Sequence, residues 1–223
     1  MLTRERLRNG AYLDSFQDLP GLPCWSRQRI EASMHEALAE RPSGEPVWLF
    51  AYGSLIWNPL LKFAEQQFAV LEGWHRSFCI RLLAGRGSCE SPGRMLALKA
   101  GGQSEGMAFR LDEQDLLDEL LLVWTREMVH GLYRPVWGRV RLASGEMVSG
   151  LAFVADTAHG EYESDATVET AAPLIAKASG HMGSNRDYLQ QLEATLTAHG
   201  IADEYVQNLA AAVRAYPNVE NAK

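Results

Sequence analysis

The feature that most constrains the fold is a series of short, closely spaced β-strand patterns between residues 47 and 155. Runs of β-branched and aromatic residues alternate there with turn residues, at 47–51, 67–71, 76–83, 95–99, 106–111, 134–142 and 147–155. Two pairs are predicted to form hairpins, through Ala100-Gly-Gly and Ala143-Ser-Gly. A doubly wound sheet needs a helix after nearly every strand, and only one helical pattern interrupts these runs. The spacing therefore predicts a mostly antiparallel sheet or small closed barrel.

Helical patterns flank this β-rich region. Ser26 can cap a helix with apolar residues four apart, and the Pro- and Gly-containing stretch 41–46 ends it. Asp112 is the predicted N-cap of the interrupting helix, and further helices are expected over 167–179, 185–199 and 203–216. The sequence predicts an α+β fold, with a helical N-terminal extension over 1–46 and a main domain over 47–216.

Charge and cysteine usage exclude several classes of protein. Lys and Arg total 21 against 28 Asp and Glu, a formal net charge of −7. Such a chain is poorly suited to nucleic acid or to an anionic membrane face, because phosphate contacts require cations. No window approaches the ~18 consecutive apolar residues of a membrane span. Three cysteines without a CxxC pair favour a reducing compartment, so a cytoplasmic protein is expected.

The common cofactor and metal motifs are missing. The sequence has no GxGxxG after a strand, no GxxxxGK[ST] and no HExxH, and its six histidines are scattered. We therefore expect no metal, nucleotide or other cofactor. Cys79, within an apolar strand pattern, is predicted to be a core residue.

Two segments suggest chemistry. A hydrophobic strand runs into Tyr52-Gly-Ser54, where Gly53 allows the backbone to turn and to approach a ligand closely. Successive N–H groups at such a turn can bind a carboxylate, although an ordinary strand-to-turn glycine would give the same pattern. Further on, Glu127 lies among apolar residues that could desolvate its carboxylate and raise its pKa. A solvent-facing glutamate, or one paired with Arg126, is the alternative.

Together these segments carry a family resemblance. Tyr52-Gly-Ser-Leu-Ile-Trp57 followed by Arg126-Glu127 resembles the ChaC branch of the γ-glutamylcyclotransferase family. Further matching stretches occur in the same order, at Gly73-Trp-His-Arg76, Pro92-Gly-Arg-Met95, Gly106-Met-Ala-Phe-Arg110, Gly180, Asn185 and Tyr188-Leu189. The resemblance covers roughly residues 47 to 199.

The resemblance implies a small β-barrel that splits reduced glutathione into 5-oxoproline and Cys-Gly. It assigns Glu127 as the catalytic acid and base. It also implies a substrate-binding loop, with Leu55 close by. The loop residues are Leu49, Phe50, Ala51, Tyr52, Gly53 and Ser54. Leu55 and Trp57 look like those of the glutathione-directed branch, because relatives acting on other γ-glutamyl compounds generally differ after the Tyr-Gly-Ser triplet.

Supporting roles are less constrained by the sequence. Arg94 and Arg126 are candidates to meet a substrate carboxylate, and Tyr133 and Tyr188 to hydrogen-bond it; solvated arginines and core-edge tyrosines are the alternatives. The acidic cluster 161–165 is predicted to be a solvated loop. Two other functions stay open, a cyclotransferase for other γ-glutamyl amines and a non-catalytic carboxylate-binding barrel. The sequence leaves the oligomeric state undetermined.

Overall fold

A computed structural model describes residues 2–16 and 22–217, which form two compact units. The first unit contains the described residues before 17 together with Pro23–His75 and Leu98–Asp156. The second contains Leu22, Arg76–Ala97 and the described residues from Thr157 onward.

The main sheet is a closed five-stranded barrel. Its strands are β1 (Trp48–Ala51), β2 (Glu65–Leu82), β3 (Gly93–Arg110), β4 (Tyr133–Leu142) and β5 (Met147–Ala155). They follow the order β1-β3-β2-β4-β5, with β1 antiparallel to β3 and parallel to β5. This confirms the predicted small α+β barrel.

The sequence suggested more strands because β2 and β3 each contain internal glycines. Gly73 in β2 has φ 80°, and Gly101 and Gly102 in β3 have φ 109° and 66°. The predicted hairpin at Ala100-Gly-Gly is therefore wrong, since β3 continues through it. Glycine in a left-handed conformation inside a strand bends the strand without ending it.

The predicted hairpin at Ala143-Ser-Gly is confirmed. Gly145 has φ 88°, and the Leu142 amide donates to the Glu146 carbonyl over 2.9 Å. β4 and β5 then pair antiparallel from Tyr133 opposite Ala155 to Arg141 opposite Met147.

Three helices precede the barrel, α1 (Arg4–Arg8), α2 (Ala11–Asp14) and α3 (Arg27–Ala39). The predicted Ser26 cap is confirmed, because its hydroxyl accepts from the Arg29 amide at 3.2 Å. The Trp137 indole on β4 donates to the Ala37 carbonyl at 2.8 Å, which joins α3 to the barrel.

Helix α4 (Leu116–Glu127) begins later than predicted. Asp112 is not its N-cap; its carboxylate accepts from the Gln114 amide and closes the turn before the helix, and Asp115 is the N-cap residue. Trp124 on the buried face packs edge-on against Phe153 of β5, with ring centroids 4.9 Å apart. This contact fixes the C-terminal end of α4 against the barrel.

The second unit contains α5 (Val168–Lys177), β6 (Ser179–Gly180), β7 (Gly183–Ser184), α6 (Asn185–Ala198) and α7 (Glu204–Arg214). The side chains of Ser184 and Asp203 cap α6 and α7. Arg76, whose side chain is 1% exposed, pairs with Asp203 at 3.0 Å.

The prediction that residues 161–165 form a solvated loop is wrong for Glu161 and Glu163, whereas Ser164 and Asp165 are exposed as expected. Glu161 is buried and accepts from the Arg81 Nε at 2.6 Å, and Glu163 lies 3.4 Å from Arg94. These ion pairs could not be predicted locally, because the glutamates and their arginine partners are far apart in the sequence. Among the described residues, no helix combines the length and apolarity that crossing a membrane requires.

Candidate active site

Strand β1 and the turn after it form one side of the site. Leu49, Phe50 and Ala51 are at most 1% exposed, so they build the wall of the barrel rather than an open loop. The Tyr52 hydroxyl donates to the buried Phe153 carbonyl at 2.7 Å. These contacts hold the end of β1 rigidly.

The chain makes one helical turn directly after Tyr52. The Ile56 amide donates to the Gly53 carbonyl at 2.9 Å, and the Asn58 amide donates to the Ser54 carbonyl at 3.0 Å. The first N–H groups of such a turn have no acceptor within it, so the turn offers donors to an anion. Gly53 is not among the described residues with positive φ, so the backbone there does not require a glycine. Leu55 is buried in the same turn.

Arg126, near the end of α4, fixes this turn. Its Nη2 donates to the Ser54 hydroxyl at 2.7 Å, and its Nη1 donates to the Asn58 carbonyl. Its side chain is only 7% exposed. Arg126 is therefore not the solvated arginine that the sequence left open.

Glu127 is the last residue of α4, and its Oε1 lies 3.1 Å from the Arg126 Nε. The side chain is 16% exposed. Burial raises the pKa of Glu127, and the positive charge of Arg126 opposes that rise. The carboxylate of Glu127 is therefore desolvated, as its apolar neighbours predict, and it is also paired with Arg126, which the sequence left open as an alternative. The Tyr-Gly-Ser turn, Arg126 and Glu127 thus form one cluster.

A further residue near this cluster, Tyr12, carries no signal in the sequence. Burial and the Glu127 carboxylate raise the pKa of Tyr12, on α2, to about 12. Tyr12 lies more than 100 positions before Glu127 in an unpatterned segment, and only tertiary packing brings the two side chains together.

Tyr133, the first residue of β4, is buried and pairs in register with Ala155. It lines a cavity of about 310 Å³ between α3 and the start of β4. Met128, which follows Glu127 directly, lines the same cavity.

The remaining predicted residues lie in the second unit. Arg94 is 5% exposed, and its amide donates to the Asn185 side-chain oxygen at 2.8 Å. Within the described residues its Nε has no hydrogen-bond partner. Arg94 is thus not a solvated arginine. The Tyr188 ring packs edge-on against Phe78, with centroids 6.3 Å apart.

Cys79 is buried, as predicted, and the cysteines are free thiols. No group of three His, Cys, Asp or Glu side chains in the described part of the chain could hold a metal ion.

The chain is similar in sequence to a known protein family and to several characterised relatives. Residues 47–216 match the model of the ChaC-like protein family. The glutathione-specific γ-glutamylcyclotransferase of Escherichia coli (strain K12) is 46% identical over 214 residues, which cover 96% of this chain and 93% of that protein. The human glutathione-specific γ-glutamylcyclotransferase 1 is 30% identical over 158 residues, 68% of this chain and 71% of the relative.

A solved structure supports the fold. The crystal structure of the yeast γ-glutamyl cyclotransferase specific to glutathione superimposes with a TM-score of 0.69 at 20% identity. The match covers 77% of this chain and 99% of the yeast chain. With the family model spanning the barrel, the turn after β1 and the end of α4, this chain belongs to the ChaC-like protein family.

Proposed function

We propose that this chain is a glutathione-specific γ-glutamylcyclotransferase, which converts reduced glutathione into 5-oxoproline and Cys-Gly. The relatives that bear this name support the assignment. The observation that carries it is the desolvated Glu127 carboxylate, held through Arg126 beside the Tyr-Gly-Ser turn.

The reaction requires two proton transfers. The α-amine of the γ-glutamyl group attacks its own γ-carbonyl carbon, so a ring C–N bond forms and the bond to the cysteine nitrogen breaks. Glu127 accepts the proton from the attacking amine and returns it to the departing cysteine nitrogen. Atoms balance without water, because the amine that attacks replaces the amine that leaves.

The environment of Glu127 suits both transfers. An α-amine ordinarily has a pKa of about 8, and a carboxyl group with an ordinary pKa is a weak base toward it. Burial raises the pKa of Glu127 and narrows this gap. The positive charge of the Arg126 guanidinium opposes this rise in pKa and favours the ionised form of the carboxylate.

Substrate binding is assigned to the turn and to the charged groups around it. The N–H groups at the start of the turn after Tyr52 bind a carboxylate of the γ-glutamyl group, and Arg126 positions the turn. The roles of Arg94, Tyr133 and Tyr188 as contacts to the substrate stay predictions; Arg94 and Tyr133 are buried.

The attack is intramolecular, and correct folding of the substrate supplies much of the acceleration. Well-oriented ring closures reach effective molarities on the order of 10⁵–10⁸ M. A rigid strand end can hold one carboxylate and bend the γ-glutamyl chain back on itself. We propose that the enzyme uses no metal or other cofactor.

Two organisational predictions also stand as proposals. We divide the chain into an extension over 1–46 and a catalytic domain over 47–216, the range that the family model matches. We also assign the protein to the cytoplasm, which agrees with its free thiols.

The direct test is incubation of the purified chain with reduced glutathione, followed by detection of 5-oxoproline and Cys-Gly. A second set of γ-glutamyl amines, lacking the Cys-Gly portion, tests specificity. Turnover of glutathione well above the second set is expected. Comparable turnover would favour the broader cyclotransferase, and binding without product would favour the non-catalytic barrel.

A further inference from the structure

The N-terminal segment, residues 2–16, is fastened to the helix that carries Glu127. The Arg4 guanidinium makes two hydrogen bonds of 2.6 Å to the Glu119 carboxylate on α4. Glu119 is only 2% exposed and also accepts from the Lys62 amide at 2.8 Å. A bidentate pair with a buried carboxylate fixes the start of the segment on α4.

The other end of the segment is fastened just beyond Glu127. The Phe16 ring lies edge-on to the His130 ring, with centroids 5.3 Å apart and planes at 84°. The Cys24 thiol donates to the Phe16 carbonyl over 3.3 Å. The segment therefore runs along α4 from Glu119 to the residues that follow the helix.

Tyr12 occupies the stretch between these two anchors. Its ring packs edge-on against Phe16, with centroids 5.1 Å apart. The pKa of its hydroxyl is raised to about 12, by burial first and by the Glu127 carboxylate second. Arg126 and Arg6 act in the opposite direction. Anchored on both sides, the half-buried Tyr12 lies on the segment that runs along α4, within range of the charges of Arg126 and Glu127.

We propose that Tyr12 is a positioning residue for the reaction, whose ring covers the Glu127 carboxylate and excludes water from it. This inference rests on the proposed function of Glu127. It makes the N-terminal segment a wall of the active site, although the segment lies outside the range matched by the family model.

The ring, rather than the hydroxyl, performs this role. With a pKa of about 12, the phenol stays protonated at neutral pH and does not remove the proton of the attacking amine, and it is a weaker acid than an ordinary tyrosine. Excluding water strengthens the electrostatic contacts of a buried carboxylate and disfavours its charged form. The charged groups around the pair are Arg126 on α4, Arg6 on α1 and Glu127 itself, with His130 in contact with Phe16.

The test compares Tyr12→Ala with Tyr12→Phe in the full chain, by the pH dependence of kcat for glutathione. Removing the ring admits water, lowers the pKa of Glu127 and weakens it as a base. We expect kcat to fall about 10-fold or more, which is a smaller loss than the one expected when the general base itself is removed. The acid limb of the pH profile is expected to move to lower pH. Tyr12→Phe keeps the ring and is expected to stay within about threefold of the wild type, with the limb unmoved.

Leu13→Ala is the matched control, because Leu13 is buried on the same short helix. It is expected to lower thermal stability while leaving the pH limb in place. Should Tyr12→Ala not fold, Tyr12→Leu replaces it, with a smaller shift in the same direction.

A second measurement does not depend on turnover. The carboxyl carbon of Glu127, followed by NMR across a pH titration without substrate, reports its pKa directly. A lower pKa in Tyr12→Ala or Tyr12→Leu than in the wild type supports the inference. An unchanged pKa, or a Tyr12 variant that loses activity only in proportion to unfolding, overturns it. A wild type that makes no 5-oxoproline would instead contradict the proposed function, and the NMR titration would still decide the role of Tyr12.

Discussion

At the scale of single residues, Glu127 combines a cost to folding with a use in catalysis. Its side chain is 16% exposed, and burial raises its pKa although Arg126 is 3.1 Å away. A buried charge is unfavourable unless it is fully compensated. Retaining a carboxylate at this position is typical of functional sites, where stability is given up for reactivity.

The first prediction concerns the proton transfers. Glu127→Gln preserves the shape of the side chain but cannot accept a proton. The rate of 5-oxoproline formation should therefore fall by ~10²–10⁴-fold or more. Glutathione binding, measured by calorimetry, is expected to persist. Asp118→Asn is the control, an exposed carboxylate on the same helix, and it should retain wild-type turnover. A folded Glu127→Gln variant with more than about a tenth of wild-type kcat would place the base elsewhere.

The second prediction concerns stability and pH. Since the folded-state pKa of Glu127 is raised above its unfolded value, this group contributes stability at low pH that is lost as pH rises through the folded pKa. Because glutamine does not ionise, the Glu127→Gln variant does not lose this stability as the pH rises. We expect its melting temperature to exceed that of the wild type at pH 8, with the difference shrinking toward pH 4. In a chain of this size 1 kcal/mol corresponds to about 2–4 °C. A Glu127→Gln variant that melts lower than the wild type at pH 8 would show that the ion pair with Arg126 dominates.

At the scale of elements, one side chain, Arg126, connects the end of α4 to the turn after β1. Arg126 donates to the Ser54 hydroxyl and to the Asn58 carbonyl at the two ends of that turn. Glu127, the proposed base, and the turn proposed to bind a carboxylate are therefore positioned by the same helix end. An error in the placement of α4 would disturb both.

The third prediction tests this coupling. Arg126→Met keeps the apolar stem but removes both hydrogen bonds, so the turn loosens and the KM for glutathione rises. Because misplacement by about 1 Å can cost ~10²-fold, we expect kcat/KM to fall by one to two orders of magnitude. Arg110→Met is the control, since Arg110 pairs with Glu65 near the surface, and it should change stability by less than about 0.5 kcal/mol. Equal losses in the two variants would contradict a specific role for Arg126.

The contrast between local and distant signals explains what the sequence could predict. The barrel and the Ser26 cap follow from local patterns, and so does the hairpin at 143–145. Glu127 stood out because its apolar neighbours are adjacent in sequence. Tyr12 and the Arg81–Glu161 pair depend on side chains that meet only after folding. The glycine pair in β3 misled the prediction because a bend and a hairpin share the same residues.

At the scale of the whole molecule, residues 2–16 and the stretch from Pro23 to the barrel belong to the first unit. Trp25 donates its amide to the Val129 carbonyl at 2.7 Å, and a side chain at Gly131 would collide with the Trp25 ring. Together with the Arg4–Glu119 pair, these contacts cover α4 and the loop after it. The residues before the barrel thus bury part of α4 and of the loop after it within the first unit.

The fourth prediction follows from this burial. A chain consisting of residues 47–223 loses the cover of α4, and it leaves the buried Glu119 without its Arg4 partner. Removing one partner of a buried ion pair typically costs ~3–5 kcal/mol. We expect low solubility, a reduced melting temperature by circular dichroism and little 5-oxoproline formation. A truncated chain with wild-type turnover would show that the extension is dispensable and would also contradict the role of Tyr12.

The parallel pairing of β1 with β5 has a consequence for the order of events during synthesis on the ribosome. Trp48 pairs with Gly150, about 100 residues later in the chain. At typical translation rates, β1 waits roughly 5–20 s for this neighbour, with four buried residues exposed on a nascent chain. Loop-closure entropy also makes such distant pairings slow to form. Because the turn that starts at Gly53 follows directly from β1, the binding site is expected to be assembled only after β5 has emerged. A chain that stalls before residue 150 could pair β1 with β3 but would leave the β5 edge of β1 open, and it would have no enzymatic activity.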